Sequence, residues 1–180
     1  STTAFANYDY ARALERTETF FWSFCDNYVE LVKIRAYGGT DSVATISARA
    51  TLSTVLSVLQ RLFAPILPFV AEEVWSWWHD ESIHLAPWPS VEELAGLEAP
   101  TQPGLLYRSV GEVLEAIRRE KSEAKLSQRA QVGLVVARGP EEWLAAIRVG
   151  ESDLQDAGAV DTFNYVEADE VSVSVTLAEG

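Results

Sequence analysis

Phe20-Phe21-Trp22-Ser23-Phe24-Cys25-Asp26-Asn27-Tyr28-Val29-Glu30-Leu31-Val32-Lys33 sorts into two faces when read at a helical period. Phe21, Phe24, Tyr28 and Leu31 recur at spacings of three and four, so they line one stripe of an α-helix, the stripe expected to be core. Trp22, Asp26, Val29 and Lys33 fall on the opposite side, with Glu30 beside them. A face mixing an aromatic, two acids and a cation can bind something; the plain alternative is a solvated outer face.

Outward from this stretch, the spacing predicts a helix from about Tyr8 to Tyr37, ended by a left-handed cap at Gly38-Gly39. A second helix starts after Asp41 or Ser42 as N-cap, carries Leu52, Val55, Leu56, Leu59, Leu62 and Phe63 at core spacing, and stops at Pro65. Pro68 suits the first turn of a third helix through Val70, Val74 and the cluster Trp75, Trp77 and Trp78, read as core and rim packing and not as a ligand cage. Ser82 to Pro100 reads as an irregular crossing. A fourth long helix from Pro103 shows Leu106, Val110, Val113, Leu114 and Ile117 on one face and frays by Lys125.

The period then changes. Val132 to Ala137 is an apolar run of strand type, and Pro140-Glu141-Glu142 opens a short helix with acids at its positive end. Val171, Val173, Val175 and Leu177 alternate with Ser172, Ser174 and Thr176, a half-buried strand whose expected hairpin partner is Asp161 to Glu167. The expected fold class is thus α+β, mainly α: an antiparallel helical bundle over residues 1–129, then a small α+β unit over 130–180 with a three-stranded, mostly antiparallel sheet.

The 180 residues, 48% hydrophobic, suffice for one sizeable core. Pro65, Pro68, Glu72 and Glu73 interrupt the apolar stretches before they reach the roughly 20 residues of a membrane span, so no membrane partner is expected. Ser1-Thr2-Thr3-Ala4-Phe5 has no secretory pattern, and the lone Cys25 cannot close an internal disulfide, which together suit a cytoplasmic protein with an inert thiol. The chain has no methionine, not even at position 1, and reads as a piece of something longer. Net charge of −13 argues against generic adsorption to nucleic acid, but the distribution is uneven. Residues 108–129 hold six bases against four acids, while 138–180 hold two bases against ten acids, so a polyanion would be met by the first half and by the 118–129 segment with Arg118 and Lys121, and not by the tail.

The usual catalytic constellations are missing. His79 and His84 have no Cys or His neighbours at ligand spacing, so no metal site is expected. No glycine-rich phosphate loop occurs. The acidic pair Glu72-Glu73 is read as helix-supporting and not as a general acid and base. No catalytic residue is assigned.

Three runs carry a resemblance. Phe24-Cys25-Asp26-x-Tyr28-x-Glu30-x-x-Lys33, then Leu62-x-x-Pro65-Ile66-Leu67-Pro68-Phe69-x-x-Glu72-Glu73-x-Trp75, then Ser82-Ile83-His84-x-x-x-Trp88-Pro89, resemble in order the anticodon-binding region of valyl-tRNA synthetases. The middle run is shared with the isoleucine and leucine enzymes; Phe-Cys-Asp-x-Tyr is what points to valine. The likeness continues through Ile117-Arg118-x-x-Lys121-x-Glu123-x-x-Leu126, with Gln128 standing where many members have proline. The ATP-handling signatures of that class are absent here, as is the basic coiled-coil arm that closes many members.

The resemblance implies a module that recognises tRNA inside a ligase that joins valine to its tRNA, with ATP and Mg handled by a catalytic domain elsewhere and no cofactor in this chain. The partners implied are the anticodon loop of a valine tRNA and the rest of the synthetase chain. Family contacts just after the motif tyrosine map onto Val29 and Glu30, with Lys33 a turn further and Asp26, Arg118 and Lys121 as further candidates. An apolar side chain can pack on a splayed base, a carboxylate can accept from an exocyclic amine, and a lysine can hold a phosphate. Two readings compete: an acidic helical protein-interaction domain without RNA, and the equivalent domain of an isoleucyl- or leucyl-tRNA synthetase.

Overall fold

A computed structural model describes residues 1–39, 42–94 and 103–178. By packing, the chain divides into a first unit, Ser1–Asp26 with Thr40–Leu97, and a second, Asn27–Gly39 with Glu98–Gly180.

The first unit is helical. After α1 (Thr2–Ala6), a break at Asn7–Asp9 puts Tyr8 at a positive φ of 59°, and α2 (Tyr10–Ser23) begins two residues later than expected, with the Asp9 carboxylate accepting from the Arg12 N–H. Helix α4 (Val43–Phe63) has Ser42 as its N-cap, accepting from the Thr45 N–H at 3.1 Å; the alternative, Asp41, lies outside the described residues. Helix α5 (Pro68–Trp75) carries Pro68 in its first turn as expected but spans only eight residues, so the third helix is short and Trp77 and Trp78 lie beyond its end, exposed. Trp75 is buried, with its indole N–H on the Glu81 carbonyl at 3.0 Å. Glu72 sits beyond the first turn of α5. Its Oε2 accepts from the Ser82 hydroxyl at 2.9 Å and the Ile83 N–H at 3.0 Å, which fixes the short 3-10 turn Ile83–Leu85. A second such turn, Val91–Leu94, is held where Arg61 reaches Glu93 and the Pro87 carbonyl; residues 95–100 of the expected crossing lie outside the described residues.

The second unit holds α3 (Glu30–Tyr37), α6 (Pro103–Glu123), β1 (Val132–Gly139), α7 (Glu141–Val149), α8 (Glu151–Gly158), β2 (Val160–Glu167) and β3 (Ser172–Leu177). Helix α6, expected with the bundle, packs instead on α7, α8 and β3, because Val110, Val113, Leu114 and Ile117 close over the sheet together with Trp143, Leu144, Ile147 and Leu154. It ends in a paired reverse turn: Leu126 N–H bonds the Lys121 carbonyl and Lys125 N–H the Ser122 carbonyl, with Lys125 left-handed at φ 57°.

The sheet order is β2-β1-β3, with β1 parallel to β2 and antiparallel to β3. The expected hairpin between Asp161–Glu167 and the last strand therefore does not form, and the sheet is mixed. β1 is the most apolar strand and takes the centre, where both of its edges are paired. Helices α7 and α8 make the crossover that returns β2 parallel, and residues 168–171 then carry the chain past Gly139, whose carbonyl accepts from the Ala168 N–H at 3.0 Å. Alternation in β3 is as expected, with Val173, Val175 and Leu177 half-buried and Ser172, Ser174 and Thr176 exposed. Gly38, the C-cap of α3, has φ −50°, so the left-handed cap expected there is absent.

Candidate nucleic-acid interface

The helix bearing the diagnostic stretch is not α-helical throughout. Phe24–Val29 forms a π-helix between α2 and α3, which accommodates an extra residue and shifts the period that sequence spacing assumes. Phe24 and Leu31 are buried as expected, but Phe21 and Tyr28 are only half-buried, while Val32, outside the expected stripe, is 1% exposed. Asn27, within the π-helix, lies 3.2 Å from Arg118 by its Oδ1, which accepts from the guanidinium Nη1.

Two neighbouring buried residues, Leu31 and Val32, seat α3 within the second unit, where it packs on α8. A two-point ion pair locks the contact: Arg35 meets Asp153 through Nε at 2.7 Å and Nη2 at 2.8 Å. Burial lifts the Asp153 carboxyl above its ordinary range, and Arg35 pulls it part of the way back.

With that side occupied, Lys33 is exposed and Val29 and Glu30 are half-exposed. Lys33 Nζ lies 2.7 Å from Glu30 Oε2, both side chains over two-fifths exposed. An exposed pair of this kind is worth about 0.2–1 kcal/mol, so either partner can be surrendered to a ligand at small cost. Asp26 is exposed on the preceding turn. Burial, and secondarily the Asp26 carboxylate, pushes the Cys25 thiol up.

The basic segment splits into two roles. Arg118 is half-buried and tied to Asn27, while Arg108, Arg119, Lys125 and Arg129 are exposed. Lys121 departs from expectation: it is 1% exposed, and its ammonium donates to the Gln128 carbonyl at 2.9 Å and the Gly158 carbonyl at 2.7 Å. Loss of water lowers its pKa. A group so enclosed cannot meet a phosphate, and Lys121 leaves the candidate surface as a bolt between α6 and the end of α8. Sequence reading also passed over Gln128 as a capping residue, whose amide donates to the Arg118 carbonyl and the Ser122 hydroxyl. Among the described residues no three His, Cys, Asp or Glu side chains gather as a metal site would require, and no helix is long and apolar enough to cross a membrane.

The family model for the anticodon-binding domain of tRNA ligases matches residues 1–136. The chain belongs to that family. Among curated proteins, this anticodon-binding domain is 52% identical over 180 residues to a valine–tRNA ligase of Thermobifida fusca, covering 99% of this chain and 20% of that protein. It is 47% identical to the valine–tRNA ligase of Salinispora tropica, covering 94% of this chain and 21% of that protein, and 36% identical to one of Tropheryma whipplei. The chain thus spans about a fifth of the length of these relatives.

Proposed function

We propose that this chain is the part of a valine–tRNA ligase that grips the anticodon loop of valine tRNA, with Val29, Glu30 and Lys33 as the contacting residues. The observation that carries the reading is the division of labour along α3: Leu31, Val32 and Arg35 seat the helix, and Val29, Glu30 and Lys33 are left accessible on a rigid support. Val29 packs on an unstacked base, Glu30 accepts from an exocyclic amine, and Lys33 exchanges Glu30 for a phosphate. Asp26 and Arg118 are further candidates, Arg118 as a cation aimed by Asn27.

Valine is favoured over isoleucine or leucine by the names of the relatives, at 36–52% identity. In this reading valine, ATP and Mg are handled in the ligase chain outside these residues, and the enzyme works in the cytoplasm. Titrating fluorescent valine tRNA with the full-length ligase, against the same tRNA with a substituted anticodon, tests it. Anticodon-dependent affinity is expected; equal affinity for both would leave the protein-interaction reading standing.

A further inference from the structure

Helix α3 carries more on its accessible side than Val29, Glu30 and Lys33. At 3.6 residues per turn, Glu30, Lys33, Ile34 and Tyr37 fall within about 100° of arc and form one continuous stripe. Leu31, Val32 and Arg35, which seat the helix, fall on the other side. The C-terminal end of the stripe is apolar and bare: Ile34 is 52% exposed and Tyr37 84%. Helical side chains lean toward the helix N-terminus, so the Tyr37 ring is directed to the turn that holds Lys33 and Ile34.

Size and neighbours limit the occupant. Two side chains are far short of the ~20–30 residues a side that a stable protein interface uses, but an aromatic ring beside an aliphatic group is enough to stack one unpaired base. Lys33, one turn back on the same stripe, is exposed and suits the phosphate that such a base brings with it. Arg35, the other cation of α3, is already neutralised by Asp153. All of α3 lies within the residues that match an anticodon-binding domain, and the ligand of such a domain is an RNA loop with unpaired bases.

We propose that Tyr37, flanked by Ile34, is a stacking platform for an unpaired base of the tRNA loop, beside the contact made by Val29, Glu30 and Lys33. The inference rests on the reading that this side of α3 meets the anticodon loop, and it adds a third kind of contact there. Stacking needs only a π-face, so Tyr37 tolerates any base. It therefore adds affinity without anticodon discrimination and, since a stacked ring displaces no counterion, without salt dependence.

The test measures binding of valine tRNA by the full-length ligase carrying Tyr37→Ala, Tyr37→Leu or Tyr37→Phe. Ala and Leu should weaken binding by roughly 5- to 100-fold, as loss of one base–aromatic stack does, while Phe stays within about two-fold of wild type. The slope of log affinity against log salt, and the affinity ratio between valine tRNA and an anticodon-substituted control, should keep their wild-type values in all three. Valine tRNAs with a single abasic nucleotide at each loop position in turn locate the base: at one position the loss from Tyr37→Ala should vanish. Wild-type affinity of Tyr37→Ala, which would leave the pair to a protein contact, binding by Tyr37→Leu as tight as wild type, or an undiminished loss with every abasic tRNA overturns the proposal. Glu30→Ala, Val29→Asp and Lys33→Ala measured in parallel separate the two ideas. Altered discrimination or slope in those variants with Tyr37→Ala silent fails the stacking alone, and a Tyr37 loss traced to one loop base with all three at wild type fails their assignment alone.

Discussion

The Lys33 ammonium rests 2.7 Å from the Glu30 carboxylate, one turn away on the accessible side of α3. In the absence of RNA the pair neutralises itself, and neither group is locked by burial. A phosphate arriving at Lys33 would release Glu30 to accept from a base. Under the proposed function the two residues would divide affinity and discrimination between them.

Lys121 should behave as a structural residue in spite of its place in the basic segment. Lys121→Met keeps most of the volume but orphans two carbonyls, a loss of about 1–3 kcal/mol in urea unfolding. Lys121→Ala adds a cavity and should cost more. Neither change should alter the salt dependence of tRNA binding by the folded protein; a slope reduced by about one would return Lys121 to the RNA surface.

Acid should release the segment around Val91–Leu94 before the rest unfolds. Hydrogen bonds from Arg61, then from the Ser90 N–H, hold the Glu93 carboxyl at about 2, below the ordinary 4.5. Because its folded value is depressed, its stabilisation is fully present above about pH 4.5 and is lost as pH falls toward 2. The 5-fluorotryptophan resonance of Trp88 should shift across that window, and Glu93→Gln should show the acid position already at neutral pH.

Gly150→Ala should destabilise by about 1–3 kcal/mol, since a Cβ there would lie 2.6 Å from Val110 Cγ2 on α6. The backbone at Gly150 has φ −96°, which alanine tolerates, so the effect reports packing alone. Val110→Ala in the same protein should recover part of the loss, a coupling measurable in a double-mutant cycle by urea unfolding.

Local signals made several helix ends legible. Ser42, Pro65, Pro68 and Pro140 act within a few residues of their own position, and the structure uses each near where its chemistry suggests, whereas the cap at Asp9 was missed. Tertiary choices were not legible. No side-chain spacing announces the extra residue of the π-helix, so the core stripe of Phe21, Phe24, Tyr28 and Leu31 left out Val32, which is core. The pairing of β3 with β1 and not with β2 depends on which strand is apolar enough for the centre, a comparison across the whole sheet. Lys121 read as a solvated cation because a lysine that donates only to backbone carbonyls leaves no partner in the side-chain pattern. At the candidate site the accessibility of Lys33, and in part of Val29 and Glu30, agrees with the sequence reading, whereas Phe21 and Tyr28 are less buried than the stripe required.

The most direct test of the anticodon face is tRNA affinity of the full-length ligase as a function of salt, for wild type, Lys33→Ala, Glu30→Ala and Val29→Asp, each with valine tRNA and an anticodon-substituted control. Lys33→Ala should weaken both RNAs and lower the slope of log affinity against log salt by about one, as one lost phosphate contact requires. Glu30→Ala and Val29→Asp should leave the slope nearly unchanged and narrow the gap between the two RNAs. Wild-type affinity, slope and discrimination in all three variants would contradict the account and leave this side of α3 as solvated surface.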